Sequence, residues 1–335
     1  MAITLRQNVR IAAYIMRQRL KGRKKFPLVL QLEPLFQCNL ACAGCGKIQH
    51  PQDILARRLS VQQCIDAVEE CGAPIVSLAG GEPLIHREID QIVAALLERK
   101  RFVYLCTNAI LMRKKLDQFK PSPYFSWSVH IDGLRERHDQ SVARQGVFDK
   151  AIEAIKEAQR RGFRVTTNTT FFTQDDARSI RDVLDYLNDE VRVDAMQISP
   201  GYAYEKAPDQ EHFLGVERTR EIFRQALADG RRKKWRLNHS PLFLDFLEGK
   251  VDFECTPWGI PSYSVLGWQR PCYLMSDAPY ARTYRELIEE TDWSQYGRGR
   301  HPSCENCMAH CGYEPTAVVA TTRSLRESLR AAISS

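Results

Sequence analysis

The chain has 335 residues, 44% of them hydrophobic, enough for one large core or for a barrel with a small second module. Its net charge of +7 is lopsided: Arg6, Arg10, Arg17, Arg19, Lys21, Arg23, Lys24 and Lys25 fall within the first 25 residues with no acid, and the other 310 residues carry 40 basic and 41 acidic side chains. A near-neutral body argues against a nucleic-acid binder with a general basic face. Eleven cysteines, an odd number, argue for metal ligation in a reducing cytosol rather than for a disulfide framework.

Residues 5–21 read as a helix, because Leu5, Val9, Ala12, Met16 and Leu20 recur at helical spacing. With its basic neighbours this arm, residues 1–25, has the pattern of a helix lying on an anionic membrane surface. Two alternatives stand beside it: a helix covering the bottom of a barrel with its charges in water, and a mitochondrial transit peptide. No apolar run is long enough to span a bilayer, and no signal-peptide core is present. The expected location is therefore cytoplasmic, peripheral on the inner membrane surface.

From residue 28 a strand–helix unit repeats six times. Strands are expected near 28–36, 74–80, 102–108, 124–132, 163–171 and 193–199. Helices are expected near 60–71, 86–100, 111–119, 147–161, 176–189 and 217–230. Such alternation predicts an α/β fold with a parallel sheet. The strands also alternate with period two. Leu30, Leu32, Val76, Leu78, Val103, Leu105, Val129, Ile131, Met196 and Ile198 form an apolar face. Gln31, Glu33, Ser77, Tyr104, Cys106, Asn108, Ser128, His130, Asp132, Gln197 and Ser199 form a polar one. An open doubly wound sheet would be apolar on both faces. A polar second face predicts a six-stranded partial (β/α)6 barrel around a ligand, spanning residues 26–234. The pattern breaks after 234, and a cysteine-rich C-terminal extension follows over 235–320, with a tail at 321–335.

Cys38, Cys42 and Cys45, spaced C-x3-C-x2-C, stand just past the first strand, where active residues of such barrels gather. Three thiolates can hold a cubane cluster and leave its fourth iron open, and an open metal position serves chemistry rather than stapling. The bland alternatives are three unrelated thiols or three-quarters of a zinc knuckle. Gly80-Gly81-Glu82-Pro83 ends the second strand; two glycines permit a turn close to a ligand, and a carboxylate can accept from an ammonium group. Ser128, His130, Asp132 and Asn168 are placed to meet the rest of a cofactor, although polar linings are often satisfied among themselves. Cys106 has no cysteine neighbour in sequence and falls on the interior face. A thiol donates a hydrogen atom readily to a carbon radical, and a free cysteine is otherwise a small buried hydrophobe. Cys64 and Cys71 read as core. Cys255, Cys272, Cys304, Cys307 and Cys311 could ligate a second [4Fe-4S] cluster with one thiol to spare; zinc, or no metal, are the alternatives.

The cysteine triad followed by Gly-Gly-Glu-Pro resembles the radical SAM superfamily. That resemblance implies a [4Fe-4S] cluster on Cys38, Cys42 and Cys45, and S-adenosylmethionine (SAM) at the open iron, with its amino group bound by Gly80, Gly81 and Glu82. It also implies ribose contacts from Ser128, His130 and Asp132 and a carboxylate contact from Asn168. Many members place an aromatic residue before the third cysteine; here it is Gly44, so adenine packing is expected from residues 198–201. The C-terminal cysteines resemble the auxiliary-cluster domains of several radical SAM families.

The stretches LEPLFQCNLACAGCGKIQHP, SLAGGEPLIH, FVYLCTNA, SVHIDGLRERHD, ISPGYAYEKAPDQEHFL, NHSPLFLDFLEG and CGYEPTAV resemble the adenosylhopane synthase family of hopanoid biosynthesis. This implies addition of the 5′-deoxyadenosyl group of SAM to the terminal alkene of hopene, a membrane hydrocarbon. It also implies a low-potential electron donor such as flavodoxin or ferredoxin, with no nucleic-acid partner. An apolar cavity lined by Phe36, Trp127, Phe171, Phe172, Tyr202 and Tyr204 would suit hopene. The competing readings are another radical SAM enzyme, such as a peptide maturase, and a non-enzymatic iron–sulfur or zinc protein.

Overall fold

The six expected strands form in a computed structural model that describes residues 3–203, 205–275, 278–324, 326–328 and 330. They are β1 (Val29–Glu33), β2 (Ile75–Leu78), β3 (Phe102–Thr107), β4 (Phe125–His130), β5 (Arg164–Phe171) and β6 (Ala195–Pro200). All pair in parallel in the spatial order 6-5-4-3-2-1, so each crossover passes in the same sense and the sheet curls. The barrel is partial, because the sheet does not close on itself. Two short strands absent from the sequence expectation extend it beyond β1. β7 (Ser262–Ser264) runs parallel to β1, and β8 (Gly267–Trp268) turns back antiparallel. The cysteine-rich extension thus shares the barrel's own sheet.

The outward face holds the apolar set. Leu30, Leu32, Val76, Leu78, Leu105, Val129, Met196 and Ile198 are all fully buried under the helices. Local signals fix those helices. The helix Val61–Cys71 starts at a reciprocal Ser60–Gln63 cap and stops at Gly72, whose φ of 71° few side chains adopt. The helix Ala177–Asp185 starts at the equivalent Asp176–Ser179 cap. The stretch expected as one helix over 111–119 is instead a turn of α-helix at Met112–Lys115 followed by a 3-10 turn at Leu116–Gln118.

The helix Leu5–Leu20 lies across the N-terminal ends of the strands. Ile15 packs with Phe26 and Leu28 just before β1, and the Arg10 guanidinium donates to the Tyr124 hydroxyl just before β4. Tyr104 of β3 donates its hydroxyl proton to the Gln7 amide oxygen (3.0 Å), and Arg19 donates to the carbonyl of Val319 (2.8 Å). Among the described residues no helix is long and apolar enough to cross a membrane. Residue 330, within the expected tail, is tied back by ion pairing of Arg330 with Asp245.

Candidate active site

The loop leaving β1 and the turn leaving β2 are locked backbone to backbone. Gly81 N–H donates to the Leu35 carbonyl (3.0 Å), and Glu82 N–H to that of Gln37 (2.9 Å). The contact is so close that a Cβ on Gly80 would lie 2.3 Å from the Leu35 oxygen, and one on Gly81 would lie 2.1 Å from the Gln37 oxygen. Gly80 also has a φ of 109°, in the region that favours glycine. This close approach explains both glycines. It also brings the Gly-Gly-Glu turn against the residues that lead directly into Cys38.

Glu82 is buried and accepts three hydrogen bonds, from Leu84 N–H (3.0 Å), the Thr107 hydroxyl (2.8 Å) and Asn108 N–H (2.9 Å). It therefore pins the end of β3 to the β2 turn. About one of its four acceptor positions remains for a ligand. Burial raises its pKa from 4.5 to about 7, with those three hydrogen bonds pulling the other way. Asn108 in turn reaches the cluster loop, donating to the Asn39 amide oxygen (2.7 Å) and, weakly, to Cys38 Sγ (3.9 Å).

Cys38, Cys42 and Cys45 are free and half-buried. Burial pushes all three thiols up, Cys38 to about 11, and Cys42 is raised further by both of its partner cysteines. Two residues on, the buried Lys47 ammonium pairs with buried Glu33 of β1 at 2.8 Å and lies 4.0 Å from the centre of the Tyr273 ring. This pair anchors the cluster loop to the sheet and to the C-terminal segment. Glu33 fell within the polar lining; its partner carried no signal beyond following the third cysteine.

Deeper in the barrel, Cys106 Sγ shares a hydrogen bond with Ser77 Oγ (3.3 Å) and another with Ser128, its register partner on the adjacent β4. Burial keeps this thiol above its ordinary value, although both serine bonds lower it, so it carries its proton at neutral pH. His130 and Asp132 form an ion pair at 2.8 Å. Burial opposes charge on His130, but the adjacent carboxylate outweighs it and the imidazole is raised. The Asp132 carboxylate also accepts from Ser141 (2.7 Å) and from Thr170 N–H (2.9 Å), so most of its capacity is used within the protein. Asn168 Oδ1 on β5 is buried without a partner.

Phe172, at the exit of β5, fills the place opposite Gly44. A Cβ on Gly44 would meet its ring at 3.1 Å and one on Gly201 at 2.6 Å, and the ring packs at a tilt against His212 with centroids 4.2 Å apart. The remaining aromatic residues expected around an apolar cavity are placed differently. Trp127 is fully buried outside the barrel among Phe119, Phe125 and Phe163, because its parity on β4 is that of the apolar face. Phe171 packs on Phe223, Phe36 stacks on His50, and Tyr202 joins the C-terminal cysteine region. Tyr204 lies outside the described residues.

Cys255, Cys272, Cys304, Cys307 and Cys311 share one neighbourhood. Burial raises the Cys255 thiol well above its ordinary value, and each of the other four raises it further. Gly312 makes room for it, since a Cβ there would lie 2.3 Å from Cys255 Sγ. Among the described residues no three His, Cys, Asp or Glu side chains close on a single ion-sized point.

Residues 32–187, which run from the end of β1 past β5 and include the cysteine triad, match the model of the radical SAM superfamily. Residues 196–331 match a second model, described only as a domain of unknown function (DUF3463), which begins within β6. GTP 3′,8-cyclase of Clostridium perfringens is 25% identical over 229 residues, 65% of this chain and 69% of that protein. Mycofactocin maturase MftC of Mycolicibacterium smegmatis is 28% identical over 141 residues, 41% of this chain and only 36% of its own length. Streptococcus suis SuiB has the same fold, with a TM-score of 0.66 at 16% identity, covering 95% of this chain and 79% of SuiB; another SuiB structure holds S-adenosylmethionine. Radical SAM enzymes use a [4Fe-4S] cluster and SAM. The residues here fit both: a free thiol triad, a glycine cradle closed to any side chain, and one acceptor position left on Glu82 for an ammonium group.

Proposed function

We propose that the chain adds the 5′-deoxyadenosyl group of SAM to the terminal alkene of hopene, forming adenosylhopane. The observation that supports this reading best is Cys106: a protonated thiol inside the barrel, held by two serines, one turn of strand from the Asn108 that touches the cluster loop. Bound on Cys38, Cys42 and Cys45, the cluster would supply the electron that releases methionine and the adenosyl radical from SAM. The chain's own residues do the rest. Gly80, Gly81 and Glu82 receive the methionine amino group, and Asn168 its carboxylate. Ser128, His130 and Asp132 orient the ribose. Addition of the radical to the terminal methylene forms a carbon–carbon bond and leaves a tertiary carbon radical. Cys106 gives it one hydrogen atom, and the resulting thiyl regains an electron from the external donor and a proton from water.

Cys255, Cys272, Cys304, Cys307 and Cys311 hold a second [4Fe-4S] cluster in this reading. Anaerobic incubation with SAM, a reductant and hopene tests it. The adenosyl adduct is expected; 5′-deoxyadenosine without adduct refutes hopene as substrate and favours a peptide. Cys106→Ala is expected to cleave SAM at the normal rate while changing the fate or stereochemistry of the adduct. Normal product with unchanged stereochemistry would remove Cys106 from the reaction.

A further inference from the structure

The helix Leu5–Leu20 is two-faced, and only one face is used by the fold. Gln7, Ile15 and Gln18 are buried against the base of the barrel. On the opposite side Leu5, Val9, Met16 and Leu20 are 64%, 60%, 64% and 84% exposed. Among the described residues only Leu134 joins them as an exposed large hydrophobic side chain. Their separations of four, seven and four positions put all four within an arc of about 60° at 3.6 residues per turn. Ala12 and Ala13 are exposed beside them, so the stripe is continuous. Arg6 and Arg17 are exposed along one margin, and Lys21 and Lys24 are exposed just past the end. A soluble surface rarely collects its exposed apolar side chains on one helix.

We propose that this stripe is a docking face for an anionic lipid surface, which seats the base of the barrel on a membrane. Charge selects this occupant over a second copy of the chain. The first 25 residues hold eight basic groups and no acid, so two stripes brought together would repel, whereas anionic headgroups would neutralise the basic margin and the lysines past the helix end while the apolar side chains enter the acyl boundary. The inner face then gains a role. Gln7, on the docked helix, holds the hydroxyl of Tyr104, which lies two residues before Cys106 on the same face of β3, so the membrane-facing helix is bonded to the barrel interior. Docking does not depend on which substrate the enzyme uses.

The test is co-sedimentation of the full chain with vesicles of phosphatidylcholine alone or mixed with phosphatidylglycerol. Binding is expected to the mixed vesicles, weakened by salt. Removing each flanking charge in Arg6→Gln, Arg17→Gln, Lys21→Gln and Lys24→Gln should weaken it by about fivefold. The combined Leu5→Gln, Val9→Gln, Met16→Gln and Leu20→Gln variant should show no binding above background while unfolding near the wild-type temperature, since these side chains are mostly exposed. Equal binding by that variant, or equal binding of wild type to both vesicles, would overturn the proposal. So would a wild-type dimer in sedimentation velocity that the same four changes dissociate, because the stripe would then be a self-association face.

Discussion

Replacing Gly81 by alanine would build a methyl carbon 2.1 Å from the Gln37 carbonyl oxygen, 2.4 Å from that of Phe36 and 2.5 Å from the Gln37 carbonyl carbon. All three obstacles are backbone, so no side-chain rotation relieves the overlap. The segment 35–37 must move, and it leads into Cys38. Overpacking of this kind costs about 1–3 kcal/mol. The Gly81–Leu35 and Glu82–Gln37 hydrogen bonds would stretch with it, at about 1 kcal/mol each. A loss of about 3–5 kcal/mol is therefore expected, read from denaturant unfolding, together with reduced iron uptake in anaerobic reconstitution. Gly146→Ala is the control. Unlike Gly81 it has a left-handed φ, 76°, and it has nothing within 4 Å, so alanine there meets backbone strain alone, should cost only about 1 kcal/mol and should leave iron binding unchanged. If Gly81→Ala matched that control in both stability and iron content, the close approach of the two loops would not be what positions the triad.

Further outcomes follow from the same geometry. Lys47→Met strands the buried Glu33 carboxylate and should cost about 3–5 kcal/mol, most of it recovered in the double variant with Glu33→Gln, as measured by denaturant midpoint. Glu82 binds its proton more tightly folded (about 7) than unfolded (4.5), so below the lower value its contribution is fully present, and it is lost as pH rises through that window. Without SAM, this should remove up to about 3 kcal/mol between pH 4.5 and 7, and Glu82→Gln should flatten that slope in a pH series of unfolding curves. Replacing Cys255, Cys272 and Cys311 together by alanine leaves two of the five thiols and should lower reconstituted iron by about four atoms per chain if the C-terminal thiols hold a [4Fe-4S] cluster. Unchanged iron with loss of one zinc would assign that site to zinc instead.

Much of the barrel was legible because period two survives in every long strand: the apolar set from Leu30 to Ile198 is the buried outer face. The hairpin β7–β8 was not, since three- and two-residue strands carry no periodicity and pair only because β1 offers them an edge. The thiol triad and Gly-Gly-Glu turn announced themselves through spacing, but the lock between them depends on backbone approach that no pattern encodes. Parity, applied strictly, would have put Trp127 outside with Val129 rather than around the cavity. Phe172 could have been found from Gly44 and Gly201, two small residues whose missing side chains leave room for one ring. The Lys47–Glu33 pair joins positions 14 apart in a loop and a strand, and only the fold brings them together. The amphipathic pattern of residues 5–20 fitted a barrel cover and a membrane face alike, and the helix in fact covers the base while leaving its apolar stripe outside.

The most direct test of hydrogen transfer from Cys106 to a carbon adduct is the reaction run in heavy water with SAM, reductant and hopene. The half-buried thiol exchanges its hydrogen with solvent, so the adenosyl adduct should carry one deuterium at the carbon left by addition to the alkene. An adduct free of deuterium, or no adduct at all, would contradict the account.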